Sequence, residues 1–564
     1  MGIIYLLTLI ILGSAFLLLK KQEEKLNLVT WIIITIVLML CYNTFVCYIL
    51  SMIRIPLYLL ILSIINIVIA VVIFSRKRRQ EYYIKKTDAI YATLIIAIAI
   101  GFAFRQYAMP LNIKYTTTDS ALHYIAASRF TDQSRLLNLE TPVYENLKTM
   151  MPFTYVNTGL LFKSFEGIIN RIDFYKIYIN FDIFLLALAG LAMYACLSSH
   201  SDNSRQQLLA FIISFVYMLG YPLNSMLFGF PYLSMGIIII NMIILIIIKF
   251  KLNRMTLFLL TFGLFFSYFL FVPIIYGALF IYFLTKKDIK SILIVLIIPA
   301  IFGFCYHILP RAEVVGALQI PGYIYRDYYS NFIFLIPFCT IGLIESKNKK
   351  FDISITVLTI LFIFMLLVGQ YTMNFSDYYF FKNHYFLWLL AFYIAFKAII
   401  FIDKKSEYIS IILVFTYAFL AIIHLFAFTG EPTKIYAFYT NNMSVFHINN
   451  SLLNKKEIGY TKEELEIIKF VNDNIDFNKK IKVVGDEHKI LWFYSMFEYK
   501  NLGGLDIPNI SEIQNEKEYI ADEYQYIIYF KNTEMFEKNY TKVLTDGEII
   551  MENDLGGVLK RSEI

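Results

Sequence analysis

Residues 255–284 read MTLFLLTFGLFFSYFLFVPIIYGALFIYFL, an almost unbroken apolar run with one proline, Pro273. The run is long for one crossing of about 30 Å of hydrocarbon and short for two. Arg254 precedes it and Lys286 follows it. Lysine and arginine favour the cytoplasmic face, so both ends lie on the same side only if the chain turns back within the run. We therefore predict a hairpin of two short helices, broken near Pro273.

Similar apolar segments recur along most of the 564 residues, of which 58% are hydrophobic and 16% are charged, with a mean hydropathy of +0.61. This composition predicts an α-helical polytopic membrane protein of about 14 spans. Residues 2–19 lack a preceding basic region and a small-residue cleavage site, so they are interpreted as a retained first helix. The predicted spans are 2–19, 28–51, 57–75, 89–108, 174–197, 207–222, 233–250, 255–269, 271–284, 291–308, 331–345, 353–370, 385–402 and 408–429.

Six basic clusters fix the expected orientation. With 14 spans all six fall on the cytoplasmic side, which leaves the N-terminus and residues 430–564 outside a bacterial plasma membrane. The external segments are then 109–173, 220–232, 309–330 and 371–384. The net charge of +7 mostly reflects these clusters and does not indicate nucleic-acid binding. The clusters are Lys20-Lys21, Arg76–Arg79, Lys251 with Arg254, Lys286-Lys287, Lys347 with Lys349-Lys350, and Lys404-Lys405.

The chain changes character after residue 429, so we divide it into a membrane module, 1–429, and an external α/β domain, 430–564. Thr461 and Glu464 form a capping box that predicts a helix to about Asn474. Strands are expected at 481–484 and 526–530, with shorter ones at 542–544, 549–551 and 557–560. Alternating helices and apolar strands are typical of a small α/β fold.

The segment Thr118-Asp119-Ser120-Ala121-Leu122-His123-Tyr124 follows the fourth predicted span and carries the first candidate site. Asp119 and His123 are spaced i, i+4 and share a face if residues 118–130 are helical. If Thr118 caps this helix, Asp119 lies in its first turn, at the positive end of the helix dipole. A carboxylate there stays ionised and can act as a general base. His123 can orient an acceptor, donate to a phosphate, or join Asp119 in holding a divalent cation. A capped surface helix with an incidental histidine is the alternative.

A second candidate site is Ser376-Asp377-Tyr378-Tyr379-Phe380-Phe381-Lys382-Asn383-His384, at the external mouth of the span expected from Tyr385. Lys382 suits an anionic phosphate as a point charge, or it snorkels towards lipid headgroups. Tyr378 and Tyr379 can stack on a sugar or belong to an interfacial aromatic belt.

Three further residues are candidate substrate ligands. Arg326, among four tyrosines in the loop 309–330, offers a planar fork that matches phosphate. Arg105, near the outer end of the fourth span, can bind phosphate or anchor the outer leaflet. Asn224 lies in 220–232, which reads as too irregular for a helix; such backbone at membrane depth lines a cavity or packs in protein.

These features resemble the GT-C superfamily of lipid-dependent glycosyltransferases, in particular bacterial members acting on cell-envelope polymers. The likeness covers about residues 80–430 and rests on the Thr-Asp-Ser-Ala-Leu-His-Tyr run, Gly-Tyr-Pro-Leu-Asn at 220–224 and Ser-x-Tyr-Tyr-x-x-Lys at 376–382. Family members use the acid of the first loop as catalytic base, which by position falls on Asp119. Many relatives carry two adjacent acids, whereas Ser120 follows Asp119 here, so a two-acid metal site does not transfer directly.

The resemblance implies transfer of a sugar from a polyprenyl-phosphate donor to a cell-envelope polysaccharide or lipid-linked acceptor on the external face, with inversion. The expected partners are the donor, the glycan or glycolipid acceptor and the lipid bilayer, and not nucleic acid. A divalent cation is the cofactor to consider. The alternatives are a transporter or flippase of a lipid-linked oligosaccharide, and a ligase or polymerase of envelope polymers. We find no internal repeat of the kind that transporters commonly show.

Overall fold

In the computed structural model of the chain, helices dominate the part that precedes residue 427. Nine helices of the described residues, 19–28 residues long, are long and apolar enough to cross a membrane, and shorter apolar helices accompany them. The protein is therefore a helical membrane protein. The structure describes residues 1–17, 26–75, 81–107, 112–115, 117, 119–136, 151–250, 254–307, 319, 332–426, 445–454, 459–477, 479–497, 524–545 and 547–561.

The helices of the membrane module follow the predicted apolar segments closely. Their interiors lack helix-breaking runs, and most ends fall at polar or glycine residues. They are α1 Gly2–Phe16, α2 Leu28–Met52, α3 Leu59–Ser75, α4 Lys86–Tyr107, α5 Asp119–Gln133, α6 Pro152–Phe165, α7 Phe174–Ser198, α8 Ser204–Leu219, α9 Tyr221–Phe228, α10 Pro231–Lys249, α11 Arg254–Ser267, α12 Val272–Thr285, α13 Ile289–His307, α14 Ile336–Ile344, α15 Lys349–Met373, α16 Asp377–Lys405 and α17 Glu407–Phe426.

The run 255–284 folds back on itself, as its flanking charges predict. The hydroxyl of Tyr276 in α12 donates to the backbone carbonyl of Thr261 in α11 over 3.1 Å. In one straight helix these residues would stand about 22 Å apart. The break lies at Tyr268, whose backbone is extended, and not near Pro273 as expected. Pro273 instead occupies the first turn of α12, where a missing amide hydrogen leaves no helical bond unmade.

The module has a protein-buried centre and a lipid-facing rim. Of the most apolar window of α10, 94% is buried, whereas the same share for α4, α15 and α17 is 28%. Rim helices turn large apolar side chains outward; Phe364 and Phe419, for instance, are both 62% exposed. Such a surface suits hydrocarbon and not water. The centre, around α5, α7, α10 and α16, is where polar side chains can be held away from lipid.

The chain after residue 444 contains one more helix against the module and then a mixed sheet. Helix α18 is Val445–Asn454, and the later helices are α19 Lys462–Asn474, α20 Glu487–Met496 and α21 Glu534–Thr545. Strands β1 Ile481–Val484, β2 Tyr526–Phe530, β3 Glu548–Asn553 and β4 Gly556–Lys560 form a sheet in the order β1-β2-β4-β3, with only β1 and β2 parallel.

Most of the local predictions for this part are confirmed. The Thr461–Glu464 capping box is present and opens α19. The strand expected at 542–544 is wrong, because these residues belong to α21. There Phe536 and Val543 are buried seven residues apart, on one face of a helix. The stretch 542–544 is too short for its sequence pattern to distinguish a strand from a helix.

The sheet region packs on residues 113–115, which precede α5. Ile113 and Lys114 pair antiparallel with Tyr460 and Gly459. Trp492 of α20 stacks on Tyr115, with ring centroids 5.9 Å apart and 7° between the planes. The C-terminal part therefore lies directly behind α5, the helix that begins at Asp119.

Candidate active site

The first turn of α5 is held by the segment 220–232. We expected this segment to be too irregular for a helix. It instead forms α9 and then a tight turn at Gly229 with φ of +73°. A Cβ at Gly229 would lie 2.5 Å from the Cβ of Ser120. Thr117 also donates its hydroxyl to the carbonyl of Phe228 over 2.8 Å. Only glycine accommodates both the left-handed backbone and the close approach, so this turn fixes where Asp119 begins its helix.

Asp119 faces a polar interior lined by tyrosines. Burial raises the pKa of its carboxyl group, and the nearby Lys382 ammonium partly offsets that rise. Asp119 lies one turn before His123, whose ring contacts those of Tyr155 and Tyr232. A partly buried carboxylate with a raised pKa and a cation beside it has the character of a general base.

Lys382 lies inside the protein and not in a loop before its span. Helix α16 begins at Asp377, capped by the Ser376 hydroxyl, which accepts from the amide of Tyr378 over 3.1 Å. Lys382 is therefore in the second turn, 5% exposed. Its ammonium donates to the hydroxyl of Tyr232.

Aromatic rings surround that ammonium. Its nitrogen lies 4.0 Å from the ring centroid of Tyr378, 4.3 Å from that of Phe230, 4.7 Å from that of Tyr232 and 6.0 Å from that of Tyr268. No carboxylate of the described chain forms an ion pair with it. Ring faces stabilise a desolvated cation without neutralising it, so the charge stays available to an anionic ligand.

His123 completes the group. Its Nδ1 lies 2.7 Å from the hydroxyl of Tyr155, and its ring meets that of Tyr232 edge-on at 5.0 Å. Burial, with the Lys382 charge adding to it, lowers the pKa of His123 to about 3. The imidazole is therefore neutral at physiological pH. The structure thus brings Asp119, His123 and Lys382, which were predicted from two separate segments, into one site.

The two predicted tyrosines differ in their relation to this site. Tyr378 covers the Lys382 ammonium, with its ring centroid 4.0 Å from the nitrogen. Tyr379 is buried beside Tyr378, with ring centroids 5.3 Å apart. Tyr378 can touch a ligand at the ammonium, while Tyr379 supports it from behind.

Two other predicted ligands make contacts elsewhere. Arg105 donates to the side-chain carbonyl of Asn454 over 3.1 Å and stacks on Phe426 at 5.1 Å. Asn224 donates to Asn449 over 2.9 Å and accepts from the Tyr385 hydroxyl over 2.5 Å. Both contacts tie α18 to the membrane module.

Some predicted residues lie outside the described part of the chain, namely Arg326 with its tyrosine-rich loop and Thr118. Within the described part no group of three or more metal-ligating side chains is present. Asp119 and His123 also fit a cation poorly, because the nearby Lys382 ammonium would repel a second positive charge. No chemistry is therefore routed through a metal.

Sequence reasoning missed Phe230, Tyr232, Tyr268 and Tyr155. Phe230 and Tyr232 flank Pro231 in a segment whose glycine and prolines already pointed to a cavity wall. Tyr155 and Tyr268 stand in ordinary apolar stretches with no local signal.

The sequence matches no protein-family model and no curated protein. The assignment of a function therefore rests on the site itself.

Proposed function

We propose that the protein is an integral membrane glycosyltransferase that moves a sugar from a polyprenyl-phosphate donor to a cell-envelope polysaccharide or lipid-linked acceptor. The observation that carries the proposal is the convergence of Asp119 and Lys382. One is a carboxylate with a raised pKa, and the other is a buried ammonium without an ion-pair partner in the described chain. A base and an anion-binding cation in one tyrosine-lined site are what such a transfer requires.

In this reaction Asp119 takes the proton from an acceptor hydroxyl as its oxygen attacks the anomeric carbon. The bond between that carbon and the phosphate oxygen breaks, and its electron pair leaves with the phosphate. Attack opposite to the leaving group inverts the anomeric centre. Lys382 stabilises the negative charge that develops on the phosphate, at the point where stabilisation accelerates the chemical step.

The aromatic surroundings have a role in the same scheme. Tyr378 lies over the ammonium, with its ring centroid 4.0 Å from the nitrogen. A sugar ring bound there would stack on an aromatic face while its anomeric carbon points to the base. The rings also exclude water, which strengthens the attraction between the ammonium and phosphate.

The reaction belongs to the external face if the basic clusters are cytoplasmic. Cysteines placed singly at Asn472 and Asn532, in a background without the five native cysteines, should react with a membrane-impermeant thiol reagent on intact cells. A cysteine at Lys347 is the matched control and should react only after lysis. The reverse pattern would place the site in the cytoplasm.

The proposed activity is tested by mass analysis of envelope glycans from cells with the protein, without it, and with Asp119→Asn. We expect one sugar component to be lost both without the protein and with Asp119→Asn, and the lipid-linked donor to accumulate in both strains. Glycans of unchanged composition but with the precursor trapped on the inner leaflet would favour a flippase instead.

A further inference from the structure

Asp119 and His123 share one face of α5, and the hydrogen bonding around His123 distinguishes its role from that of Asp119. Within the described chain, Nδ1 of His123 has one partner, the hydroxyl of Tyr155 at 2.7 Å. Nε2 is buried and has none. His123 itself is 7% exposed. A buried polar atom without a protein partner is open to a water molecule or to a polar group of a ligand.

Two arrangements of the hydrogens are possible at this contact. If Tyr155 donates to Nδ1, the neutral ring carries its hydrogen on Nε2, and one donor is left without a partner. If Nδ1 donates to Tyr155, two groups are left without partners, because both the phenol hydrogen and the lone pair of Nε2 lack one. Each buried polar group left unpaired is destabilising. The first arrangement is therefore the more stable.

The surroundings of Nε2 favour a donor as well. The ring of His123 contacts Tyr232, whose hydroxyl accepts from the Lys382 ammonium. Three hydrogens belong to that ammonium, and Tyr232 is its one hydrogen-bond partner in the described chain. An N–H group next to an ammonium with free hydrogens makes a site for one negatively charged oxygen and not for a hydroxyl that must lose its proton.

We infer that His123 binds a phosphate oxygen of the ligand as a neutral N–H donor through Nε2, together with Lys382, and that Tyr155 is a positioning residue that fixes this tautomer. The inference rests on the proposed function, because it assigns the phosphate of the donor to this pair. His123 and Asp119 then have separate roles, since Asp119 remains the base.

The tautomer can be measured without any sugar transfer. We would record ¹⁵N spectra of the full chain in lipid nanodiscs, labelled at histidine, and obtain the His123 signals by subtracting the spectrum of His123→Gln. Protonated Nε2 and bare Nδ1 are expected in the wild type, with a mixture of tautomers in Tyr155→Phe. Protonated Nδ1 in the wild type, or an unchanged tautomer in Tyr155→Phe, would overturn the inference.

A binding experiment tests the phosphate contact with polyprenyl phosphate as the probe. Glutamine places an amide N–H near the position of Nε2, and asparagine places it near Nδ1. His123→Gln should bind the probe within about threefold of wild type, and His123→Asn should bind about tenfold more weakly, the loss of one hydrogen bond to a charged group. Equal affinities in the two variants would remove Nε2 from the phosphate site.

The outcomes separate this inference from the proposed function. A correct tautomer and the predicted difference in probe binding, without any sugar transfer by the wild-type protein, would refute the transferase alone. Sugar transfer with the wrong tautomer would refute this inference alone.

Discussion

Two buried lysines of the same helix, Lys397 and Lys382, have opposite surroundings. Lys397 donates to Asp352, to the Tyr393 hydroxyl over 2.7 Å and to the Ser346 hydroxyl over 3.1 Å, which occupies all three ammonium hydrogens. The second Asp352 oxygen accepts from Tyr393 over 3.0 Å. Lys382 has one hydrogen bond and several ring faces. The Lys397 ammonium, with all its hydrogens bonded, holds helices together. The Lys382 ammonium is available to a ligand.

The largest expected effect concerns stability. Asp352→Ala leaves the Lys397 ammonium buried and without its counter-charge, which should lower the free energy of unfolding by about 3–5 kcal/mol. Asp119→Ala should cost far less, because Lys382 keeps its bond to Tyr232. Thermal unfolding of both variants in the same detergent checks the difference in stability. Equal losses of stability would show that the surroundings of Lys397 and Lys382 do not differ in this way.

Lys382→Ala should weaken binding of polyprenyl phosphate about 10- to 100-fold, the loss of a charged hydrogen bond worth about 1.5–3 kcal/mol. Lys382→Arg should retain part of the affinity, since a charge is needed more than a particular geometry. Titration of the purified protein with the lipid phosphate measures both. Wild-type affinity in Lys382→Ala would make Lys382 a structural residue like Lys397.

Gly229→Ala tests whether the turn after α9 positions Asp119. Gly167→Ala is a matched control, since Gly167 also has a positive φ, +79°, but nothing lies within 4 Å of a Cβ there. Each substitution should cost about 1–2 kcal/mol of stability through the left-handed backbone. Only Gly229→Ala should also displace Ser120 and lower the rate of transfer by about tenfold or more, because small misplacements of reacting groups are costly. The same rate in both variants would argue against a positioning role.

The smallest expected effect is a shift in pH dependence. Asp119 acts only when deprotonated, so the rate should rise with pH through its pKa, which burial raises and Lys382 lowers. Lys382→Met removes the lowering charge, and the acid limb of kcat/KM should therefore move to higher pH. Lys382→Arg should leave it in place. A limb that moves to lower pH in Lys382→Met would show that the two groups are not coupled as described.

The sequence predicts the helices of this protein better than it predicts the site. Hydropathy and basic flanks find the apolar helices and the reversal within 255–284, because these signals are local and strong. The i, i+4 spacing places Asp119 and His123 on one helix for the same reason. That Lys382 joins them depends on packing between helices far apart in sequence, which no local pattern encodes. Tyr155 and Tyr268 escape prediction because a buried tyrosine in an apolar stretch looks the same whether it fills space or faces a charged group.

The errors have local causes as well. Prolines in 220–232 suggested an irregular segment, but Pro222 lies in the first turn of α9, where a helix accepts proline. Residues 377–384 were placed before their span because two charges and several polar groups lower the hydropathy there. The side chains of residues 379–384 are buried in the protein, so α16 begins at Asp377 without exposing them to lipid.

The proposed mechanism depends most directly on Asp119 as the base. The decisive measurement is the rate of sugar transfer by purified Asp119→Asn in lipid nanodiscs. Binding of polyprenyl phosphate is measured on the same preparation. The amide has nearly the shape of the carboxylate but cannot take a proton at neutral pH, so transfer should fall by about 10²- to 10⁴-fold. The variant should stay folded and bind the lipid phosphate as well as wild type or better. Transfer within a few-fold of wild type by the folded variant would contradict the account.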